Sequence, residues 1–172
     1  MPRPVAPLLL LLFCCASAAS VQTSEWKEYP YSEDGFAISA PSDPRIQKDI
    51  VPMADGDVEI HYYSIPLPGD CGWMAVTYTL NDADTRAPQQ VLIDARDNAL
   101  ESVHARLISE MPVSIDGYMG VQIELEADKY RARNRYYVVG RRMYQLLSIA
   151  PMEKPIPRDT DRFYRSFRLL QP

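Results

Sequence analysis

Residues 117–150 contain three strand-like runs separated by two very short breaks. In the run 121–127, apolar and polar side chains alternate, which is the period-two pattern of a strand with one buried face. The apolar set is Val121, Ile123, Leu125 and Ala127, and the polar set is Gln122, Glu124 and Glu126. A second run covers 130–139, and the mostly apolar run 142–150 predicts a central strand that is covered on both faces.

The two breaks predict the register of an antiparallel meander. A two-residue loop at Asp128-Lys129 pairs Glu126 with Arg131, Glu124 with Arg133, and Gln122 with Arg135. Opposite charges across such a pair contribute about 0.2–1 kcal/mol each, and a slip of one residue would turn the apolar set to the wrong face. At the second break, Gly140 is free to adopt a positive φ, which pairs Val138 with Met143 and Tyr137 with Tyr144.

The rest of the chain predicts further strands and two helices. The β-forming runs are 26–31, 36–40, 47–51, 58–65, 73–80 and 107–113. A helix from Pro88 to about residue 105 has its apolar stripe at Leu92, Ala95, Ala99 and Val103. A short last helix has Asp159 and Asp161 in its first turn and carries Phe163 and Phe167. This order predicts one α+β domain at 26–172, with helices packed on a mainly antiparallel sheet.

The N-terminus has the parts of a secretory signal peptide. Arg3 is followed by an apolar run over 8–15 and then by small residues, which predicts cleavage near residue 19 and a short leader at 20–25. We therefore expect a periplasmic or secreted protein. Cys14 and Cys15 leave open a lipoprotein signal, although the bulky Phe13 precedes them. Association with a membrane is expected only if one of these two cysteines is lipidated.

Charge and motifs exclude several classes of function. The 172-residue chain has 18 Lys plus Arg and 23 Asp plus Glu, and without residues 1–20 its net charge is about −6. An acidic chain does not suit a nucleic-acid partner. The sequence contains no Gly-x-Gly-x-x-Gly, Walker or Gly-x-Ser-x-Gly motif, so no cofactor is expected.

Cys71 is the sole cysteine after the predicted signal peptide, so we expect a free thiol and no internal disulfide. A nucleophilic role would require a base nearby, and the histidines are His61 and His104. A disulfide between two copies of the chain is the third alternative.

Two sets of residues are candidates for binding a metal or another ligand. Asp55, Asp57 and Glu59 alternate, so they share one face of a strand and could hold a hard cation through oxygen ligands, as could Asp82 and Asp84. A solvated acidic turn is the preferred explanation of these residues, and no zinc spacing occurs. The candidates for ligand binding are Arg141, Arg142, Tyr62 and Tyr118, where the two arginines have no partner in the predicted register.

Three stretches resemble the PsbP-like and Mog1-like domain family, and the chain is similar to a bacterial exported member of it. Tyr29, Tyr31, Gly35-Phe36, Ile38 and Pro41 are similar to the family's opening, Gly-Tyr-Met-Gly at 117–120 fits its bacterial relatives, and 140–146 followed by 163–167 resembles its ending. The resemblance implies an α/β/α sandwich. Plant members support photosystem II and Mog1 binds a nuclear GTPase, but no residue pattern specific to either role is present.

These observations predict an exported, non-enzymatic binding or accessory domain that interacts with another protein of the cell envelope. The alternative is a small-molecule- or metal-binding protein, or an enzyme, with a pocket between a helix and the sheet. A pocket with convergent polar groups and shifted pKa values would favour the alternative. An exposed aromatic or apolar patch would favour the binding domain.

Overall fold

The computed structural model describes residues 25–53 and 56–170, which form ten strands and two helices. The strands are β1 (Lys27–Tyr31), β2 (Phe36–Ala40), β3 (Arg45–Met53), β4 (Gly56–Leu67), β5 (Cys71–Thr79), β6 (Arg106–Ile115), β7 (Tyr118–Glu126), β8 (Tyr130–Val139), β9 (Arg142–Pro151) and β10 (Arg168–Leu169). The helices are α1 (Pro88–Ser102) and α2 (Thr160–Ser166). The predicted signal peptide and most of the leader lie outside the described residues, as does Asp55.

Seven strands form one antiparallel sheet in the order β3-β4-β5-β9-β8-β7-β6. β9 is its central strand, as the apolar run 142–150 predicted. The predicted register is confirmed at both hairpins, because Glu124 lies opposite Arg133 and Tyr137 lies opposite Tyr144. Gly140 has a φ of 58°, the positive value that the second hairpin requires.

One face of this sheet, here called the α2 face, is covered by α2 and by a small sheet of order β1-β2-β10. Its core is aromatic: the rings of Trp73 and Phe163 stack with centroids 5.4 Å apart, and Phe36 packs edge-on against Tyr63 and Tyr144. Phe36 and Phe163 are completely buried. The second sheet therefore closes this face with large side chains.

The opposite face, here called the α1 face, carries α1. Pro88 takes the first helical position, where its missing N–H costs no hydrogen bond, and the helix ends before His104, which has a φ of 50°. Val91 and Leu92 are buried, and Ala95 and Ala99 are partly buried. Val103 was expected on the apolar stripe, but this is wrong: it follows the helix, which ends at Ser102, and its side chain is exposed.

The molecule is an α+β sandwich in which a mainly antiparallel sheet lies between helices, and the predicted fold class is confirmed. β10 was not predicted, because a strand of two residues leaves no periodic pattern. Both edge strands of the large sheet contain a proline, Pro52 in β3 and Pro112 in β6. In the part of the chain that the structure describes, neither helix has the length and apolar character needed to cross a membrane.

Candidate functional site

A concave surface of the α1 face lies between α1 and the strands β4, β5, β8 and β9, and is here called the α1 groove. It arises because α1 packs mainly against β7 and β8, near one side of the sheet. The volume of the groove is about 630 Å³, within the range of ligand-binding clefts. Apolar and aromatic side chains dominate its floor, among them Ile60, Tyr62, Tyr78, Met143, Leu147 and Ile149.

The helix lines the groove with small side chains. Ala95, Ala99 and Ser102 lie at helical positions i, i+4 and i+7, which place them along one side of α1. Asn98 adds one polar side chain to this wall. A wall of small residues leaves space for another group to approach the helix backbone closely.

The floor of the groove contains a pair of amide side chains. Gln145 Nε2 donates a hydrogen bond of 2.7 Å to Asn134 Oδ1 and a longer one of 3.4 Å to the hydroxyl of Tyr136. Asn134 is only 3% exposed. One hydrogen bond between two primary amides leaves a donor and an acceptor unused, so the apolar floor has a polar centre that can orient a ligand.

No charged residue, histidine or cysteine is among the described residues that line the α1 groove. Burial raises the pKa of the tyrosines that line it above the usual phenol value, so they stay neutral at physiological pH: Tyr62, Tyr78, Tyr130 and Tyr136. The groove therefore offers no general base or nucleophilic thiolate. It suits the binding of an uncharged group.

A second concave surface, of about 480 Å³, contains a buried acid–histidine cluster. His61 Nδ1 donates to Asp34 Oδ2 at 2.7 Å, and His61 Nε2 donates to Glu59 Oε1 at 2.6 Å. The hydroxyl of Tyr63 also donates to Asp34 Oδ2, and an Arg142 nitrogen lies 3.7 Å from Asp34 Oδ1. Asp34 is buried in the turn between β1 and β2, so the cluster fastens this turn to the large sheet.

The cluster resembles a catalytic arrangement, but its geometry opposes that role. Burial lowers the pKa of His61, yet its hydrogen bonds to Glu59 and Asp34 outweigh burial, and the net shift is upward. Since both ring nitrogens face carboxylate oxygens, the site favours the imidazolium form with two donated hydrogen bonds. A histidine in this state has no lone pair available to accept a proton or bind a metal ion.

The structure separates Cys71 from both histidines. Cys71 of β5 lies opposite Leu67 of β4, whereas His61 of β4 lies opposite Thr77 of β5. Six residues of strand between positions 61 and 67 correspond to about 20 Å. His104 lies two residues before the start of β6, which is four strands away from β5 in the sheet order. The Cys71 thiol is free and donates to the carbonyl of Gly69, which also accepts a hydrogen bond from Lys154 Nζ, so neither histidine is its partner.

The two arginines predicted as ligand-binding residues have partners that the hairpin register did not show. Arg141 donates to the carbonyl of Leu80 at 2.7 Å and lies 3.2 Å from Asp82. Arg142 donates to the carbonyl of Glu33 at 3.0 Å and faces Asp34. These partners come from distant parts of the chain, and they tie the β8–β9 hairpin to its surroundings. Ligand binding by Arg141 or Arg142 stays a prediction.

The two predicted tyrosines lie in different places. Tyr62 lines the α1 groove and is half-buried, whereas Tyr118 lies at the start of β7 and is exposed. The structure therefore does not bring Tyr62, Tyr118, Arg141 and Arg142 into one site. Tyr62 alone belongs to the groove.

Among the acidic candidates for a metal site, Asp57 and Glu59 share one face of β4, as alternation predicted. Glu59 is occupied by His61 and lies 3.8 Å from Lys48. Asp84 is likewise occupied: a hydrogen bond from Arg86 lowers the pKa of Asp84 to about 2. Within residues 25–53 and 56–170, no three His, Cys, Asp or Glu side chains are grouped so as to hold a metal ion.

The arginine stripe of β8 is used in ion pairs and hydrogen bonds. Arg133 Nη2 lies 2.7 Å from Glu124 and its Nη1 lies 3.0 Å from Asp161 of α2, while Arg135 donates to Gln122 at 2.6 Å. Arg133 therefore connects the sheet to α2, in addition to the cross-strand pairing that the register predicted.

Sequence reasoning did not identify the buried role of Asp34 or the α1 groove. One available signal was the alternation on β4, which places Glu59, His61 and Tyr63 on one face next to an acidic turn. The groove had a weaker signal, the short side chains of Ala95, Ala99 and Ser102 on one side of the predicted helix. Neither signal gives the position of the helix on the sheet.

Comparison with known proteins defines the fold. No family model matches the chain, and no curated protein matches it in sequence. The solution structure of cyanobacterial PsbP (CyanoP) from Synechocystis sp. PCC 6803 is similar, with 12% identity, a TM-score of 0.55, and coverage of 90% of this chain and 98% of that chain. A protein of unknown function from Pseudomonas aeruginosa, PA94, a putative regulator, has 12% identity, covers 60% of this chain and 82% of that chain, and has a TM-score of 0.42, too low to support an argument. The predicted likeness to PsbP-like domains is therefore confirmed for the fold, which is PsbP-like.

Proposed function

We propose that this chain is an exported, non-enzymatic binding or accessory domain that interacts with another protein of the cell envelope through the α1 groove. The observation that carries the proposal is the chemistry of this groove. A cleft of about 630 Å³ is lined by apolar, aromatic and amide side chains, with no charged residue among the described residues that line it. Because the partly exposed Tyr62, Leu147 and Ile149 give it a mainly apolar surface, the groove meets the expectation of an apolar patch for a binding domain.

The remaining candidates for catalysis support the same proposal. The ring nitrogens of His61 are both engaged by carboxylates, and the Cys71 thiol lies at the other end of the β4–β5 pair. The PsbP-like fold is compatible with an accessory role. We further propose membership of the PsbP-like and Mog1-like family, with a periplasmic or secreted location that rests on the sequence of residues 1–19.

Capture of partners from a native envelope extract, with two matched variants, tests this proposal. Leu147→Glu introduces a charge into the floor of the groove, and Ile50→Glu introduces the same charge at an exposed position of β3 outside the groove. We expect the wild-type chain and Ile50→Glu to capture the same protein and Leu147→Glu to lose it. Equal capture by both variants would exclude the groove as the binding surface.

A small uncharged molecule is the second candidate occupant, and the amide pair in the floor favours it specifically. Gln145 and Asn134 could orient one polar group of a mostly apolar molecule. Native mass spectrometry of the chain purified from its own envelope distinguishes the two candidates. A reproducible added mass that Leu147→Glu removes would support the small molecule over a protein partner.

A further inference from the structure

Resting on the proposed function, we infer that the α1 groove receives an amphipathic helix of the partner protein. This helix lies beside α1 on the open part of the sheet. Its buried stripe is uncharged and carries one amide side chain, Asn or Gln, near its centre. Three features of the groove lead to this occupant: its width, its wall and its floor.

The width of the open surface fits one helix. Neighbouring strands lie about 4.8 Å apart, and packed helices lie about 9 Å apart, so a second helix would sit two strands along from the first. α1 packs on β7 and β8, and two strands along the sheet order from them are β9 and β5. β8 and β9 contribute most of the side chains of the groove floor, and the floor continues across β5 and β4 through Tyr78, Ile60 and Tyr62. A helix bound there would cover the part of the sheet that α1 leaves open.

The wall of the groove favours a helix over an extended segment. Ala95, Ala99 and Ser102 follow one side of α1 at helical spacing. Short side chains at i, i+4 and i+7 leave a shallow channel along the helix axis, into which the ridge of a neighbouring helix packs. An extended segment gains its affinity from an open strand edge, but the main strands of the groove floor are each paired on both sides: β4, β5, β8 and β9.

The floor indicates the polar residue of the partner. Asn134 is 3% exposed, lines the groove and shares one hydrogen bond with Gln145. Whichever way the two amides are oriented, this pair retains one unused donor and one unused acceptor. An Asn or Gln side chain on the incoming helix supplies both complementary groups, whereas a charged side chain would be buried without a counter-ion.

The described part of this chain has no helix that could fill the groove itself. α2 is committed to the α2 face through its buried residues Phe163 and Tyr164. The side of α1 that carries Arg96, Asp97 and Glu101 is charged. The described chain begins on the α2 face, where the ring of Trp26 packs on Trp73. A partner of a different sequence is therefore the occupant that fits.

A displayed library of helical peptides tests the inference with the purified processed chain. Every member has Lys and Glu on its outer face and a buried stripe randomised over uncharged residues. A second library has the same composition but contains proline at every third position, which prevents helix formation. We expect binders to be enriched from the helical library alone, with Asn or Gln at a central stripe position.

Matched variants then locate the binding site. Ser102→Phe fills the groove at an exposed position of α1, whereas Glu101→Leu adds an apolar side chain on α1 outside the groove lining. The best helical peptide should bind Ser102→Phe at least tenfold more weakly and Glu101→Leu with unchanged affinity in fluorescence anisotropy. Gln145→Leu should remove the preference for the peptide with Gln over its Ala analogue, which we expect to be about fivefold in the wild-type chain.

Four results would overturn the inferred helix: enrichment from the proline library, no enrichment from either library, binding that Ser102→Phe leaves unchanged, or self-association of the chain through this face in sedimentation equilibrium. Binding of vesicles of neutral phosphatidylcholine in competition with the peptide would favour a lipid occupant and also count against it. The proposed function is tested separately from the inferred helix. It fails if Leu147→Glu and Ile50→Glu capture the envelope partner equally.

Discussion

The two faces of the large sheet are built differently. The α2 face is closed by a second sheet, a helix and an aromatic core in which Phe36 and Phe163 are fully buried. The α1 face is covered by one helix that packs mainly on β7 and β8, and the α1 groove remains beside it. We therefore expect the α2 face to contribute more to the free energy of unfolding, whereas the α1 face is available for binding.

The polar groups of the two faces also differ, in how fully their hydrogen-bonding capacity is used. On the α2 face, the indole N–H of Trp73 donates to Thr160 Oγ1 at 3.0 Å, and the hydroxyls of Ser148 and Thr160 lie 2.7 Å apart. These buried groups satisfy one another. In the α1 groove, the pair of Asn134 and Gln145 uses only part of its hydrogen-bonding capacity. The unused groups of this pair belong to the face that we propose to bind.

The largest effect should come from the aromatic core. Phe163→Ala leaves a cavity under α2 and should lower the free energy of unfolding by about 4 kcal/mol, whereas Leu92→Ala under α1 should lower it by about 2 kcal/mol. Urea denaturation followed by tryptophan fluorescence measures both values. Equal losses, or a larger loss for Leu92→Ala, would contradict the division between the faces.

The next effect concerns the buried acid. Asp34→Asn leaves the His61 cation without its buried partner and should cost about 3 kcal/mol. Glu59→Gln is the matched control, since Glu59 contacts the other nitrogen of His61 but its side chain is 55% exposed; we expect a change within about 0.5 kcal/mol. Chemical denaturation at pH 6 gives both values. Similar losses in the two variants would show that burial does not distinguish the two carboxylates.

A smaller effect is expected at the link between α2 and the sheet. Thr160→Val keeps the shape of the side chain but leaves the Trp73 indole N–H and the Ser148 hydroxyl without their partner. The free energy of unfolding should fall by about 2 kcal/mol. Thr160→Ser retains the hydroxyl group, and it should retain most of this stability in the same denaturation experiment.

The groove itself should tolerate polar substitution. Leu147→Glu places a carboxylate at a half-buried position that lines the α1 groove, and we expect a loss of about 1 kcal/mol in thermal or urea unfolding. A loss comparable to that of Phe163→Ala would show that this side of the sheet is also part of the core.

The smallest effect depends on pH. The hydrogen bonds to Glu59 and Asp34 raise the pKa of His61 despite its burial, so its contribution to stability is complete below the unfolded pKa of about 6.5. This contribution is lost as the pH rises through the higher folded pKa. The stability advantage of the wild-type chain over His61→Gln should therefore decrease between pH 6 and pH 9. A constant or increasing advantage would exclude a cationic His61.

The alternation of apolar and polar side chains made the C-terminal half of the chain predictable. The apolar side of β7 and the charged pairs between β7 and β8 both specify one register, and the structure has that register. Short loops leave few other ways to pair consecutive strands. For the same reason, Phe36–Ala40 was placed correctly between its turn and Pro41.

Features that depend on distant residues were not predictable in this way. Asp34 lies in a polar turn, and its burial arises only when His61, Tyr63 and Arg142 come to it from three other positions in the chain. Periodicity identified the apolar side of α1, but it did not show that the helix would pack on β7 and β8 and leave the groove beside it. The partners of Arg141 and Arg142 were missed for the same reason, since they lie outside the hairpin.

The prolines of the two outer strands have a consequence for how the protein behaves at high concentration. A proline cannot donate a backbone hydrogen bond, so Pro52 and Pro112 each interrupt the ladder that a neighbouring copy would need in order to extend the sheet. A β-bulge near Leu107 adds a further irregularity to β6. The two prolines therefore weaken edge-to-edge pairing between copies of the domain.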